Sequence, residues 1–82
     1  MYEVRIARRA VKDTAGLPKA YAHSIAQHID GLRDNARPPD AKQLRGGEGY
    51  SLRVGMYRVL YDIDEAQVIT SYRVKHRREA YR

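Results

Sequence analysis

The stretch YSLRVGMYRVLY, residues 50–61, admits very few backbone arrangements. Before Gly55-Met56, Tyr50, Leu52 and Val54 alternate with Ser51 and Arg53, and a β-rich run, YRVLYDI, follows. Alternation with period two marks a strand with one buried face. Two such runs joined by two residues, the first a glycine, predict a hairpin closed by a type II′ turn. So short a turn fixes the register: Val54 faces Tyr57, Leu52 faces Val59, and Arg53 faces Arg58. Leu52 and Val59 make a core-facing pair, so both arginines point to the opposite side. Like charges directly opposite destabilise a strand pair, so their presence asks for a reason other than folding.

The rest of the chain divides by its hydrophobic period. YEVRI (2–6) alternates and predicts a first strand. Residues 7–17, with Ala7, Ala10, Val11 and Ala15 at helical spacing, predict a short helix ending near Gly16. Leu17, Tyr21, Ile25, Ile29 and Leu32 form an apolar stripe through a second helix over 17–35, with Pro18 expected at its first position. RPPD (37–40) ends it. A short strand is expected over Lys42–Arg45, then the hairpin, a turn at DEAQ, and a last strand over 68–74. In that strand Ile69, Ser71 and Arg73 alternate with Val68, Thr70, Tyr72 and Val74, and either set could face the core. The order β-α-α-β-β-β-β predicts one α+β domain over residues 1–82, two N-terminal helices covering one face of a small antiparallel sheet. The other face is left bare.

Composition narrows the chemistry. The 82 residues carry 16 Lys and Arg against 10 Asp and Glu, a net charge of +6, and twelve of those cations are arginine. Arginine suits bidentate contact with phosphate, so the expected partner is nucleic acid. Cysteine is absent, which excludes disulfides, thiolate catalysis and Cys-type zinc sites. His23 and His28 lie five residues apart, off the spacing that joins two ligands on one helix face, and no metal-ligand cluster or cofactor motif is found. Neither a membrane-length apolar run nor a signal-peptide pattern is present, so the expected location is the cytoplasm. Phe and Trp are missing while Tyr numbers seven, which predicts a core whose hydroxyl groups reach the surface. Toward the C-terminus, KHRREAYR offers His76, whose imidazole is suited to acid–base work, and Tyr81, whose phenol can exchange a proton if neighbouring cations lower its pKa. Arg, His and Tyr suffice to cut RNA: a base activates the 2′-hydroxyl, cations stabilise the phosphorane, and an acid protonates the leaving oxygen.

Taken together, YEVRIARRAVKDTAGLPK, ARPPDAKQLRGGEGY, LRVGMYRVLYDID and RVKHRREAYR resemble the RelE toxins of bacterial toxin–antitoxin systems, within the RelE/ParE superfamily, along essentially the whole chain. The specific parts are the hairpin RVGMYRVLY and the tail HRREAYR. The resemblance implies helices packed on an antiparallel sheet, a ribosome-dependent endoribonuclease that cuts mRNA in the A site, and a cognate antitoxin that wraps the toxin. By position in the motifs, Arg53 and Arg58 would hold and neutralise phosphate, Arg77 would stabilise the transition state, and Tyr81 would act as base or stacking residue. Lys42, Arg45, Ser51, Arg73, Lys75 and Arg78 are the further candidates for RNA contact. Ser51 stands where some RelE toxins carry lysine, which strengthens His76 as the base. Lys75 stands where glycine is usual and returns a positive charge, and Met56 replaces a common Asp. A ParE-like inhibitor of DNA gyrase and a non-toxic antitoxin-binding module are the alternatives. The HRREAYR ending favours the nuclease.

Overall fold

The computed structural model describes residues 2–44, 49–76 and 78. The elements run β1 (Glu3–Ile6), α1 (Arg8–Ala15), α2 (Lys19–Gly31), β2 (Ala41–Gln43), β3 (Tyr50–Val54), β4 (Tyr57–Ile63) and β5 (Val68–His76), in the order the sequence predicts. They form one five-stranded sheet, β1-β5-β4-β3-β2. The sheet is mixed rather than antiparallel. β2 to β5 form the expected antiparallel meander, but β1 enters beside β5 in parallel, with Val4 opposite Ile69 and Ile6 opposite Ser71. The two helices carry the chain from β1 at one edge to β2 at the other, so the connection between the parallel neighbours β1 and β5 runs through both helices and β2 to β4.

Local chemistry accounts for the boundaries. Gly16 ends α1, and Leu17 donates its amide to the Thr14 carbonyl. Pro18 is the N-cap of α2 rather than its first residue: its ψ of 145° is extended, and its carbonyl accepts the Tyr21 and Ala22 amides. After α2 the chain turns through Asn35, whose side chain accepts the Arg37 amide. The hairpin register is as predicted, and Gly55 has the positive φ, 58°, that a type II′ turn needs at its first central residue. At the β4–β5 turn Asp64 Oδ1 accepts the amides of Ala66 and Val68.

Ile25, Ile29 and Leu32 of the stripe, with Ala10 of α1, bury against Leu52, Val54, Val59, Tyr61, Ile69 and Val74 of the sheet. Tyr61 departs from the expectation for tyrosine. It is fully buried, and its hydroxyl donates to the Ala36 carbonyl at 2.7 Å. Its ring stacks on Tyr50 at 5.4 Å. Burial pushes the Tyr61 phenol up to about 12, because the phenolate would have to form inside the core. No helix among the described residues is long and apolar enough to cross a membrane.

Candidate nucleic-acid interface

The hairpin brings Arg53 and Arg58 face to face. The Arg53 amide donates outward to the Asp40 carbonyl, on the β2 side. Arg53 and Arg58 are therefore a non-hydrogen-bonded pair, the kind in which opposed side chains come closest. β5 extends the line, since Lys75 is the partner of Arg58 on the far side of β4. Three cations thus stand in one row across three strands, spanning roughly 10 Å at the usual strand spacing. Lys42, opposite Ser51 on β2, adds a fourth on the same side. Arg53 and Lys42 are exposed, while Arg58 and Lys75 are half-buried. The helices lie on the other side, against the alternate residues Leu52, Val54, Val59 and Val74.

Like charges in such a row repel one another, and an anion seated along it would reverse the sign of that term. Hydrogen bonds between charged groups and phosphate oxygens are the strong kind. The departure at Lys75 therefore lies within the row and adds a charge to it.

Ser51 departs from expectation. It shares the arginines' side of the sheet but is 0% exposed, and its Oγ is buried without a hydrogen-bond partner. Leu60 beside it is 8% exposed. This part of the surface is closed, so Ser51 is not placed to touch RNA.

The other candidates fall elsewhere on the fold or outside the described residues. His76 is paired with Tyr57 on the helix side of the sheet, not with the arginines. Its ring meets Tyr57 edge-on at 5.7 Å, and Tyr57 meets Tyr21 of α2 the same way at 5.3 Å. Strand alternation holds it off the cation row. Arg73 lies opposite Leu60, on the arginines' side of the ladder, but its Nε reaches Asp13 of α1 and donates to it at 2.9 Å. Arg78 is exposed and its amide donates to His76 Nδ1 at 3.3 Å. Arg45, Arg77 and Tyr81 lie outside the described residues.

Two features escaped the sequence pattern. Arg37 donates from Nε to the Tyr50 hydroxyl at 2.8 Å and lies 5.4 Å from that ring's centre. The hydrogen bond to Tyr50, then that to Tyr2, raises the Arg37 pKa above its ordinary value. RPPD reads only as a loop, and nothing in it announces a stacked arginine. The second is Asp13, whose carboxylate holds β5. The sole hint in the sequence is that Ile69 and Val74, both buried, are an odd number of residues apart and cannot share a face of an unbroken strand.

Among the described residues no group of three or more His, Cys, Asp or Glu is placed to hold a metal ion. The arrangement can bind and neutralise a phosphodiester.

Comparison with known proteins bears on the family and the fold. A family model described as the ParE toxin of the parDE type II toxin–antitoxin system matches residues 4–81. A Methanocaldococcus jannaschii protein bearing the name RelE1 toxin is 30% identical over 86 residues, covering 99% of this chain and 96% of the relative. In the archaeal RelE–RelB complex from Pyrococcus horikoshii, one chain superposes with a TM-score of 0.83 at 31% identity, covering 96% of this chain and 98% of that one. In the toxin–antitoxin complex RelBE2 of Mycobacterium tuberculosis the TM-score is 0.81 at 31% identity, covering 93% and 98%.

Proposed function

Because this chain belongs to the RelE/ParE superfamily of toxins from type II toxin–antitoxin systems, we propose that it acts as the toxin of such a pair and cuts mRNA in the ribosomal A site. The observation that supports this most is the Arg53–Arg58–Lys75 row on the sheet face turned away from the helices. A base removes the proton of a 2′-hydroxyl, the oxygen attacks the neighbouring phosphorus, and the 5′ oxygen leaves with a proton. The product is a 2′,3′-cyclic phosphate and a free 5′-hydroxyl end. Negative charge grows on the non-bridging oxygens during attack, and cations already fixed beside them stabilise that state without reorganising. Arg53, Arg58 and Lys75 take that role on the sheet, and the same role is assigned to Arg77, which lies outside the described residues. With His76 on the helix side, Tyr81 is the remaining candidate for the base.

A row on an open sheet holds the backbone without bending it. The attacking hydroxyl must be aligned by something else, and the ribosome supplies that alignment. Free RNA is accordingly a poor substrate. The whole chain serves as one toxin domain in the cytoplasm, and a cognate antitoxin is its partner, in keeping with the RelE–RelB complex from Pyrococcus horikoshii.

A second reading is favoured by the family description itself, which names ParE: inhibition of DNA gyrase without cutting nucleic acid. Expression in bacterial cells, with mRNA ends mapped and plasmid supercoiling assayed, separates the two. We expect codon-registered mRNA cuts with supercoiling unchanged, cuts abolished in Arg58→Ala, and cleavage weakened more than ribosome binding in Tyr81→Phe. Broken DNA with intact mRNA establishes the gyrase reading instead.

A further inference from the structure

β4 and β5 do not keep one register. Tyr57 to Leu60 pair with His76 to Arg73 in step, but Tyr61 then pairs with Ser71, so β5 carries one extra residue at Tyr72–Arg73. In an unbroken strand Ile69, Ser71, Arg73 and Lys75 would share one face, and Ile69 is buried against the helices. Lys75 would then lie under the helices. The bulge reverses the alternation beyond it, burying Val74 and putting Lys75 beside Arg58.

What holds the bulge is a carboxylate from another element. Asp13 Oδ2 accepts both Arg73 Nε and the Val74 amide, each at 2.9 Å. β1 pairs with β5 only as far as Ser71, so no strand among the described residues reaches the outer edge of β5 at Val74. The α1 carboxylate takes the place of a ladder partner there. Both side chains are largely covered, at 18% for Asp13 and 28% for Arg73. Removing the carboxylate leaves a guanidinium and a backbone amide without their acceptor in a sheltered site.

We propose that Asp13 is a positioning residue for the cation row: by clamping the bulge it fixes which face of the sheet Lys75 occupies. It touches no substrate and acts through β5. Its structural half is independent of the proposed function, and its functional half rests on the row being the RNA contact.

The test reads register and binding separately. Opposed residues at a non-hydrogen-bonded antiparallel position bring their α-protons together, so NMR of the whole chain should show a strong cross-peak between Val59 and Val74 α-protons. In Asp13→Ala we expect that cross-peak to vanish while the helical signals persist. Affinity for a short single-stranded RNA should fall by about threefold to tenfold, the scale of one lost phosphate contact. Lys75→Ala should match that loss, and the double variant should be no weaker than Lys75→Ala alone. Retention of the cross-peak in folded Asp13→Ala overturns the proposal. A lost cross-peak with unchanged RNA affinity leaves Asp13 as the clamp but overturns the row as the RNA contact. If Asp13→Ala does not fold, amide exchange on the unaltered chain decides: the Val74 amide should be protected although no strand covers it, and rapid exchange there overturns the proposal.

Discussion

Arg53 and Arg58 stand directly opposite each other at a non-hydrogen-bonded position of the β3–β4 ladder, with Lys75 next in line beyond Arg58. Like charges so placed oppose strand pairing. If the row contacts RNA as proposed, stability and binding pull in opposite directions there.

Arg53→Thr tests the conflict. Threonine keeps a good strand former at an exposed position and removes the repulsion. We expect the variant to be more stable by about 0.2–1 kcal/mol in urea unfolding at low salt, with the gain shrinking as salt rises. RNA affinity should drop in the same protein. A loss of stability would mean that the pair does not repel.

Ser51→Ala should behave in the opposite sense to a binding-site substitution. The Ser51 hydroxyl is buried without a hydrogen-bond partner, and an unsatisfied buried polar group costs about 1–3 kcal/mol. Its removal should leave stability unchanged or raised and leave RNA affinity intact. A clear fall in affinity would restore Ser51 to the interface.

The hairpin and most of the core stripe were legible in the sequence because both are set locally. A two-residue turn determines which residues of β3 and β4 meet, and Leu17, Tyr21, Ile25, Ile29 and Leu32 repeat at the helical period, although Tyr21 stays 44% exposed. The parallel place of β1 was not legible. Its partner β5 lies more than sixty residues away, and a four-residue strand carries no mark of direction. The faces of Arg73, Lys75 and His76 were hidden for another reason. They depend on a bulge held by Asp13, a tertiary contact from α1, and strict alternation gives the wrong side for every residue beyond it. Ser51 shows the same limit, since alternation gives its face but not what closes over it.

Tyr61→Phe keeps the ring that stacks on Tyr50 and deletes the bond to the Ala36 carbonyl. The expected loss is about 1–3 kcal/mol near neutral pH, from leaving that buried acceptor unmatched. Alkaline titration adds a second signature. The folded-state pKa is raised to about 12 from the ordinary 10.0, so the unfolded chain releases the proton first. The contribution of Tyr61 is fully present below pH 10 and is lost progressively between pH 10 and 12. Unfolding midpoints followed over that window should fall less steeply in Tyr61→Phe than in the unaltered chain.

Two glycine substitutions should diverge. Gly49 has a φ of 105°, and a Cβ there would sit 2.7 Å from the Tyr61 carbonyl oxygen. Gly49→Ala should be destabilised by about 2 kcal/mol or more, combining left-handed strain with a backbone clash. Gly31, the last residue of α2, has open space where a Cβ would go. Gly31→Ala should gain about 0.5–1 kcal/mol. Thermal unfolding of both variants checks the pair, and similar shifts in the two would contradict the geometry at Gly49.

Contact between the cation row and RNA phosphates is tested most directly by the salt dependence of binding. Each phosphate neutralised on a single strand steepens the slope of log affinity against log salt by about 0.7. Titrating a short single-stranded RNA over a range of salt concentrations should give a slope flatter by about that amount for Arg58→Ala than for the unaltered chain, with the fold unchanged by circular dichroism. An identical slope in the two proteins would show that Arg58 meets no phosphate, and the row would lose its assigned role.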